Sequence, residues 1–283
     1  MAIVTSEEML KKAREGRYAV GAFNIENMEM AQAVIDVASE LKSPVIIATS
    51  QSALKYATTL TYKQMIEAIS VNAKIPIAIH LDHGDNFKIC LQALHAGYSS
   101  IMIDGSAYSY EENIEITKKV VDVCSIFNVP VEAELGAIVG KEQDTLAGRK
   151  TILTPPETAK DFVELTKCSS LAVAIGTCHG FYKEKPCLDY ERLNLIRNTV
   201  SVPLVLHGAS GLSEEQVRMC VKNGISKVNF ATELRDAYTK SVKEYLENNP
   251  NVVDPKKYGL EAKKAVMECV KEKINWLGSY DRY

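Results

Sequence analysis

What this 283-residue chain lacks narrows its function before any motif is considered. It has no CxxC pair, and its seven cysteines are scattered and odd in number, which argues against a disulfide framework and for reduced thiols in a cytoplasmic protein. No stretch approaches the roughly 18 apolar residues of a membrane span, and the N-terminal MAIVTSEEML has no long apolar segment of the signal-peptide kind. Positive charge is not in excess. The 33 Lys and Arg against 36 Asp and Glu give a net charge of −3 with no basic stripe, so nucleic acid is not an expected partner. Linkers and low-complexity segments are missing too, so residues 1–283 read as a single domain able to bury a sizeable core.

What is present is a repeated alternation. Apolar runs occur at Tyr18–Phe23, Val45–Thr49, Ile77–Ile79, Ser99–Ile103, Val129–Leu135, Leu171–Ile175, Pro203–Leu206 and Ile225–Phe230, and each is followed by a helical pattern. Thr5 or Ser6, Asn86 or Asp85 and Ser213 are placed to start helices, and Gly16, Gly97 and Gly224 to stop them. Eight such units predict a (β/α)₈ barrel, with a further amphipathic helix in the tail from Val253 to Tyr283.

The stretch PIAIHLDHGDN, residues 76–86, is the chemical centre of this reading. An apolar strand over Ile77–Ile79 breaks into His80, Asp82, His83 and Asp85, where a barrel of this kind places its chemistry. IGTCHGFY and VPLVLHGASG repeat the pattern at His179 and His207, so three strands end in histidine and converge on one rim. The simpler alternative, a packed histidine and turn-capping aspartates, does not explain the repetition. A three-histidine metal site does. His95 lies inside an amphipathic helix and reads as structural or solvent-facing. Cys178 beside His179 lacks a recognisable orienting partner for a thiol nucleophile. In VPVEAEL, Glu132 and Glu134 share one face of a strand, and a buried carboxylate is costly unless paired or metal-bound.

Two further segments suggest a substrate. The 14 residues GAIVGKEQDTLAGR, 136–149, carry three glycines and no periodicity, as expected of a lid. The loops after strands seven and eight, rich in Gly, Ser, Asn and Thr and each feeding a helix N-terminus, suit phosphate. Three neutral imidazoles leave a bound zinc at +2, which favours a substrate oxygen that must turn negative, as hydroxide or enediolate. The economical substrate is a phosphorylated keto compound, with Asp82 moving a proton at the cleaved bond and Glu142 of the lid supplying the second carboxylate. Metal-assisted hydrolysis is the rival class, but strand one ends in Asn24 rather than a His-x-His pair. A non-catalytic scaffold leaves the carboxylates beside an open metal site without a purpose.

AVGAFNIEN, AIHLDHG, SIMIDGS, VEAELG, LAVAIGTCHGFY, LVLHGASG and KVNFATEL together resemble the class II, zinc-dependent ketose-bisphosphate aldolases over essentially the whole chain. The resemblance implies zinc on His83, His179 and His207, with Asp104 and Glu134 near a second or displaced metal position. It makes Asp82 the residue that handles the C4 hydroxyl proton and Glu142 the one that exchanges the proton of dihydroxyacetone phosphate. It assigns Gly180, Gly208, Ala209, Ser210, Asn229, Ala231 and Thr232 to substrate and phosphate, where Na⁺ or K⁺ also sits in many members. Ser50 aligns near the transferred carbonyl group, and Asp254 and Lys256 with a distal phosphate reached across a dimer. A homodimer or homotetramer is implied. NFATEL is similar to the tagatose-type branch, whereas fructose-type members carry aspartate at the position of Ala231. The segment 139–150 departs from both patterns, which keeps a deoxy-keto-gluconate phosphate as an alternative substrate.

Overall fold

The structure, a computed structural model, describes residues 3–138, 152–182 and 186–283. Eight parallel strands close into a barrel in sequence order: β1 Val20–Asn24, β2 Val45–Ser50, β3 Ile77–Gly84, β4 Ser100–Ile103, β5 Val131–Leu135, β6 Ser170–Val173, β7 Leu204–Leu206 and β8 Ile225–Phe230. Pairing of Gly21 with Val228 and of Phe23 with Phe230 joins first strand to last. The fold is the expected (β/α)₈ barrel.

Alternation along each strand sorts side chains into two sets. Phe23, Ile47, Ile79, Ile101, Val173 and Leu206 pack outward into the main core beneath the helices. Val20, Ala22, Ile46 and Ala78 face inward and meet Met9, Leu10 and Ala13 of α1, Ser6–Gly16, which plugs the base of the barrel. Above this apolar floor the inward residues turn polar, and that change locates the site at the other end.

Local sequence sets the helix starts that feed the rim. Asn27 caps α2, Met28–Glu40, by accepting from Met30 N, and Asn86 caps α5, Phe87–Ala96, through Ile89 N. Reciprocal capping boxes pair Ser109 with Glu112 at α6, Tyr110–Ile126, and Ser213 with Gln216 at α9, Glu214–Lys222. The tail forms α11, Pro255–Leu277, which packs on α2 and on α10, Thr232–Asn248.

One local expectation is revised. β3 does not end at Ile79 but continues to Gly84, because β2 pairs with it as far as Asp82 while β4 holds the other edge through a register shift between Leu81 and Gly84. After β2 the chain enters α3, Gln51–Tyr56, capped by Ser50.

Candidate metal centre

His83 comes from the end of β3, and His179 and His207 from the loops after β6 and β7. One nitrogen from each lies within 4.8 Å of the others. The hydrogen bonds identify which nitrogens face inward. His83 Nδ1 donates to Asp104 Oδ2 at 2.8 Å, and His207 Nε2 to Glu132 Oε1 at 2.9 Å. A carboxylate only accepts, so His207 presents an Nδ1 lone pair, and this atom meets His83 Nε2 at 2.8 Å. Among the described residues both ring nitrogens of His179 are buried without a hydrogen-bond partner, and its ring centre stands 4.9 Å from that of His83. Two nitrogens facing one another and a third left unsatisfied form a donor set that fits zinc, with outer carboxylates fixing the rings.

Electrostatics agree with that fit. Burial lowers His179 to about 3 with help from the His83 charge, so its ring is neutral, as a ligand must be. Burial would also lower His83, but Asp82, Asp104 and Glu134 together carry it up to about 10. A proton on the His83 ring and a metal ion are alternative occupants of the same facing pair. Asp104, which burial alone would raise, is held at about 2 by the bond and charge of His83 and by Ser106. Glu134 is pushed well above the usual carboxylate range by burial and by neighbouring Asp104. Among the described residues neither of its oxygens has a hydrogen-bond partner, and His83 Nδ1 is 3.9 Å away. His83, Asp104 and Glu134 thus form a second group able to hold a cation.

Asp82 sits beside the imidazoles rather than among them, its Oδ1 3.9 Å from His83 Nε2. Asn24 Nδ2 donates to its Oδ2 at 2.7 Å and Asn229 Nδ2 to its Oδ1 at 2.9 Å. Burial would raise this carboxyl, but His83, His207 and Lys227 hold it well below the ordinary range. His83 itself adopts φ 50°, a left-handed backbone that is strained for a residue with a Cβ. Gln51 Nε2 grips its carbonyl at 2.6 Å.

The cleft above these groups is lined by Asn24, Asp82, the three histidines, Gly180, Gly208, Ala209, Ser210, Asn229, Ala231 and Thr232. Most residues expected to contact substrate or phosphate therefore share one cavity. Gly208 has to be glycine: its φ is 69°, and a Cβ there would stand 2.6 Å from the Cys178 carbonyl. The Tyr182 hydroxyl ties the two loops by donating to Gly208 O at 2.7 Å and accepting from Cys178 N at 3.1 Å.

Other expected residues lie elsewhere. Ser50 caps α3, meets Ser52 Oγ at 2.9 Å and does not line the cleft. Asp254 caps α11 and bonds Lys256, and neither residue reaches the cleft of its own chain. Glu142, like segment 139–150 as a whole, is outside the described residues. His80, within the same motif, is fully buried one layer below the cleft, where burial and Lys227 lower it to about 3. His95 is exposed on α5.

Sequence reasoning overlooked Gln51, Lys227 and the role of Asn24. For Lys227 a signal existed: alternation in ISKVNF puts it on the same face as Asn229.

A closed eight-stranded α/β barrel with histidines and carboxylates gathered at its C-terminal rim defines a barrel protein whose rim side chains could hold a metal ion. Within that class, the family model described as "Fructose-bisphosphate aldolase class-II" matches residues 4–282, and the chain belongs to this family. The chain is similar to the YdjI aldolase from Escherichia coli K12, at 38% identity over 99% of each chain with a TM-score of 0.89. It is similar also to a putative fructose-1,6-biphosphate aldolase from Coccidioides immitis, at 32% identity over 97% of this chain and 96% of that one, TM-score 0.89. A fructose-bisphosphate aldolase from Campylobacter jejuni, at 20% identity over 100% and 97%, shares the fold with a TM-score of 0.82. The protein is therefore an aldolase, and the family acts on phosphorylated ketoses. Among the described residues no helix is long and apolar enough to cross a membrane.

Proposed function

We propose that this chain, acting as one catalytic unit, reversibly cleaves a ketose 1,6-bisphosphate, tagatose 1,6-bisphosphate in preference, to dihydroxyacetone phosphate and glyceraldehyde 3-phosphate. The observation that carries the reading is Asp82 held between two asparagines at the edge of the three-imidazole cluster. Zinc bound by His83, His179 and His207 would polarise the substrate carbonyl and stabilise the negative charge that cleavage leaves on that half. Asp82 takes the proton of the C4 hydroxyl as the C3–C4 bond breaks; the bonding pair stays with C3, and C4 leaves as an aldehyde. Glu142 returns a proton to C3. Gly180, Gly208, Ala209, Ser210, Asn229 and Thr232 hold the phosphate end, where a Na⁺ or K⁺ ion would share the anion's charge. Asp254 and Lys256 act on the distal phosphate across a homodimer.

Initial rates with tagatose and fructose 1,6-bisphosphates, before and after chelation and zinc add-back, test the reading. Chelation is expected to stop both reactions and zinc to restore them. Cleavage unaffected by thorough metal removal would sink the mechanism. Fructose bisphosphate cleaved faster would move the specificity to the other branch. Ala231 lines the cleft where a carboxylate could bond a substrate hydroxyl, and such a contact is worth about 1–3 kcal/mol of discrimination. Ala231→Asp is accordingly expected to shift the fructose-to-tagatose ratio of kcat/KM upward by roughly 5-fold or more. An unchanged ratio would remove Ala231 from the determinants of specificity.

A further inference from the structure

Below the three imidazoles the barrel lumen holds a second polar layer that the proposed chemistry does not use. Lys227 of β8, Glu132 of β5 and His80 of β3 are each no more than 2% exposed. Lys227 Nζ donates to Glu132 Oε1 at 3.0 Å and to Oε2 at 2.8 Å, and lies 3.4 Å from His80 Nε2. From His80 the column continues downward: Nδ1 meets Ser100 Oγ at 2.7 Å, which meets Ser6 Oγ of α1 at 2.9 Å. Upward it ends on His207, through the 2.9 Å bond from its Nε2 to Glu132 Oε1.

A buried ion pair adds little stability over apolar residues of the same size, so cohesion alone does not account for this one. Its geometry does. Glu132 Oε1 is shared between the lysine and the histidine, while Oε2 is held by the lysine. The lysine thus sets the plane of the carboxylate, and the carboxylate sets which nitrogen of His207 carries hydrogen and where the other one points. We propose that Lys227 is a positioning residue of the metal centre, gripping both oxygens of Glu132 so that His207 Nδ1 is aimed at the ion. This inference rests on reading the three imidazoles as a metal site.

Zinc affinity, measured by competition with a chromophoric chelator, tests it, together with the visible absorption of the cobalt(II)-loaded protein. Lys227→Met is expected to weaken zinc binding about 10- to 100-fold, the usual effect of losing an outer-shell partner, and to alter the cobalt bands. Affinity within twofold of wild type with unchanged cobalt bands would overturn the proposal, even if thermal stability had changed. If Lys227→Met does not fold, Lys227→Gln, which loses the charge and one of the two contacts, is expected to lose at least about threefold. Wild-type affinity in that variant would be equally fatal. Wild-type protein that takes up no zinc would overturn the metal-site reading itself, and this proposal with it.

Discussion

His83→Ala is expected to lose at least about 1000-fold in metal-dependent cleavage, since the charge stabilisation a bound ion supplies is worth several kcal/mol and each 1.36 kcal/mol is tenfold. The substitution removes the nitrogen that faces His207 Nδ1 at 2.8 Å and leaves two donors of the three. It also takes away the ring that bonds Asp104 and approaches Glu134, so two buried carboxyl groups are left facing each other. The left-handed backbone adds no new penalty, because alanine there meets the same steric constraint that histidine already meets. Elemental analysis of protein purified in the presence of zinc is the direct check. A variant retaining a full equivalent of zinc and wild-type turnover would show that the imidazoles do not act as a set.

Asp82→Ala separates catalysis from binding. The metal is expected to stay, because Asp82 is not among the residues that could ligate it, while cleavage falls about 10²- to 10⁴-fold through loss of the proton acceptor. Alanine has a side effect: the amides of Asn24 and Asn229 each lose their acceptor, which costs about 1–3 kcal/mol apiece where the amide stays buried. Asp82→Asn controls for this. It keeps the shape and one acceptor but cannot take the proton, so it should be nearly as slow as alanine and melt closer to wild type. Zinc content matching wild type with activity lost in both variants is the expected pair of results. Activity retained in Asp82→Asn would mean that another group moves the proton.

The barrel is legible because each strand is a compact apolar run bounded by punctuation, and the clustering of His83, His179 and His207 because three of those runs lead into a histidine. What escaped was set by closure rather than by local pattern. The full length of β3 is hidden in the string because His80 and Asp82 look like loop residues, whereas in a barrel the inner face of a strand can be polar and still be buried. Lys227 escapes for the same reason: a lysine in a strand is ordinarily solvent-facing, and Glu132, 95 residues away, makes its burial tolerable. Gln51 carried no signal, because its task depends on the positive φ of His83, which nothing in the sequence announces. The similarity of Asn24, Asp82 and Asn229 to family motifs was visible in the strings, but their mutual bonding belongs to the fold.

The seam between β1 and β8 has a consequence for the order of events in the cell. His83 and His207 are 124 residues apart, and the wall they stand on is complete only when Phe230 reaches Phe23. Contacts so distant along the chain form slowly and late. A ribosome must have released well over two hundred residues before His207 can join the other two histidines, so an ion held by all three would arrive only after the polypeptide is nearly finished. On the proposed reading, zinc would be loaded into a completed barrel, and its supply would limit activity without limiting the yield of folded protein.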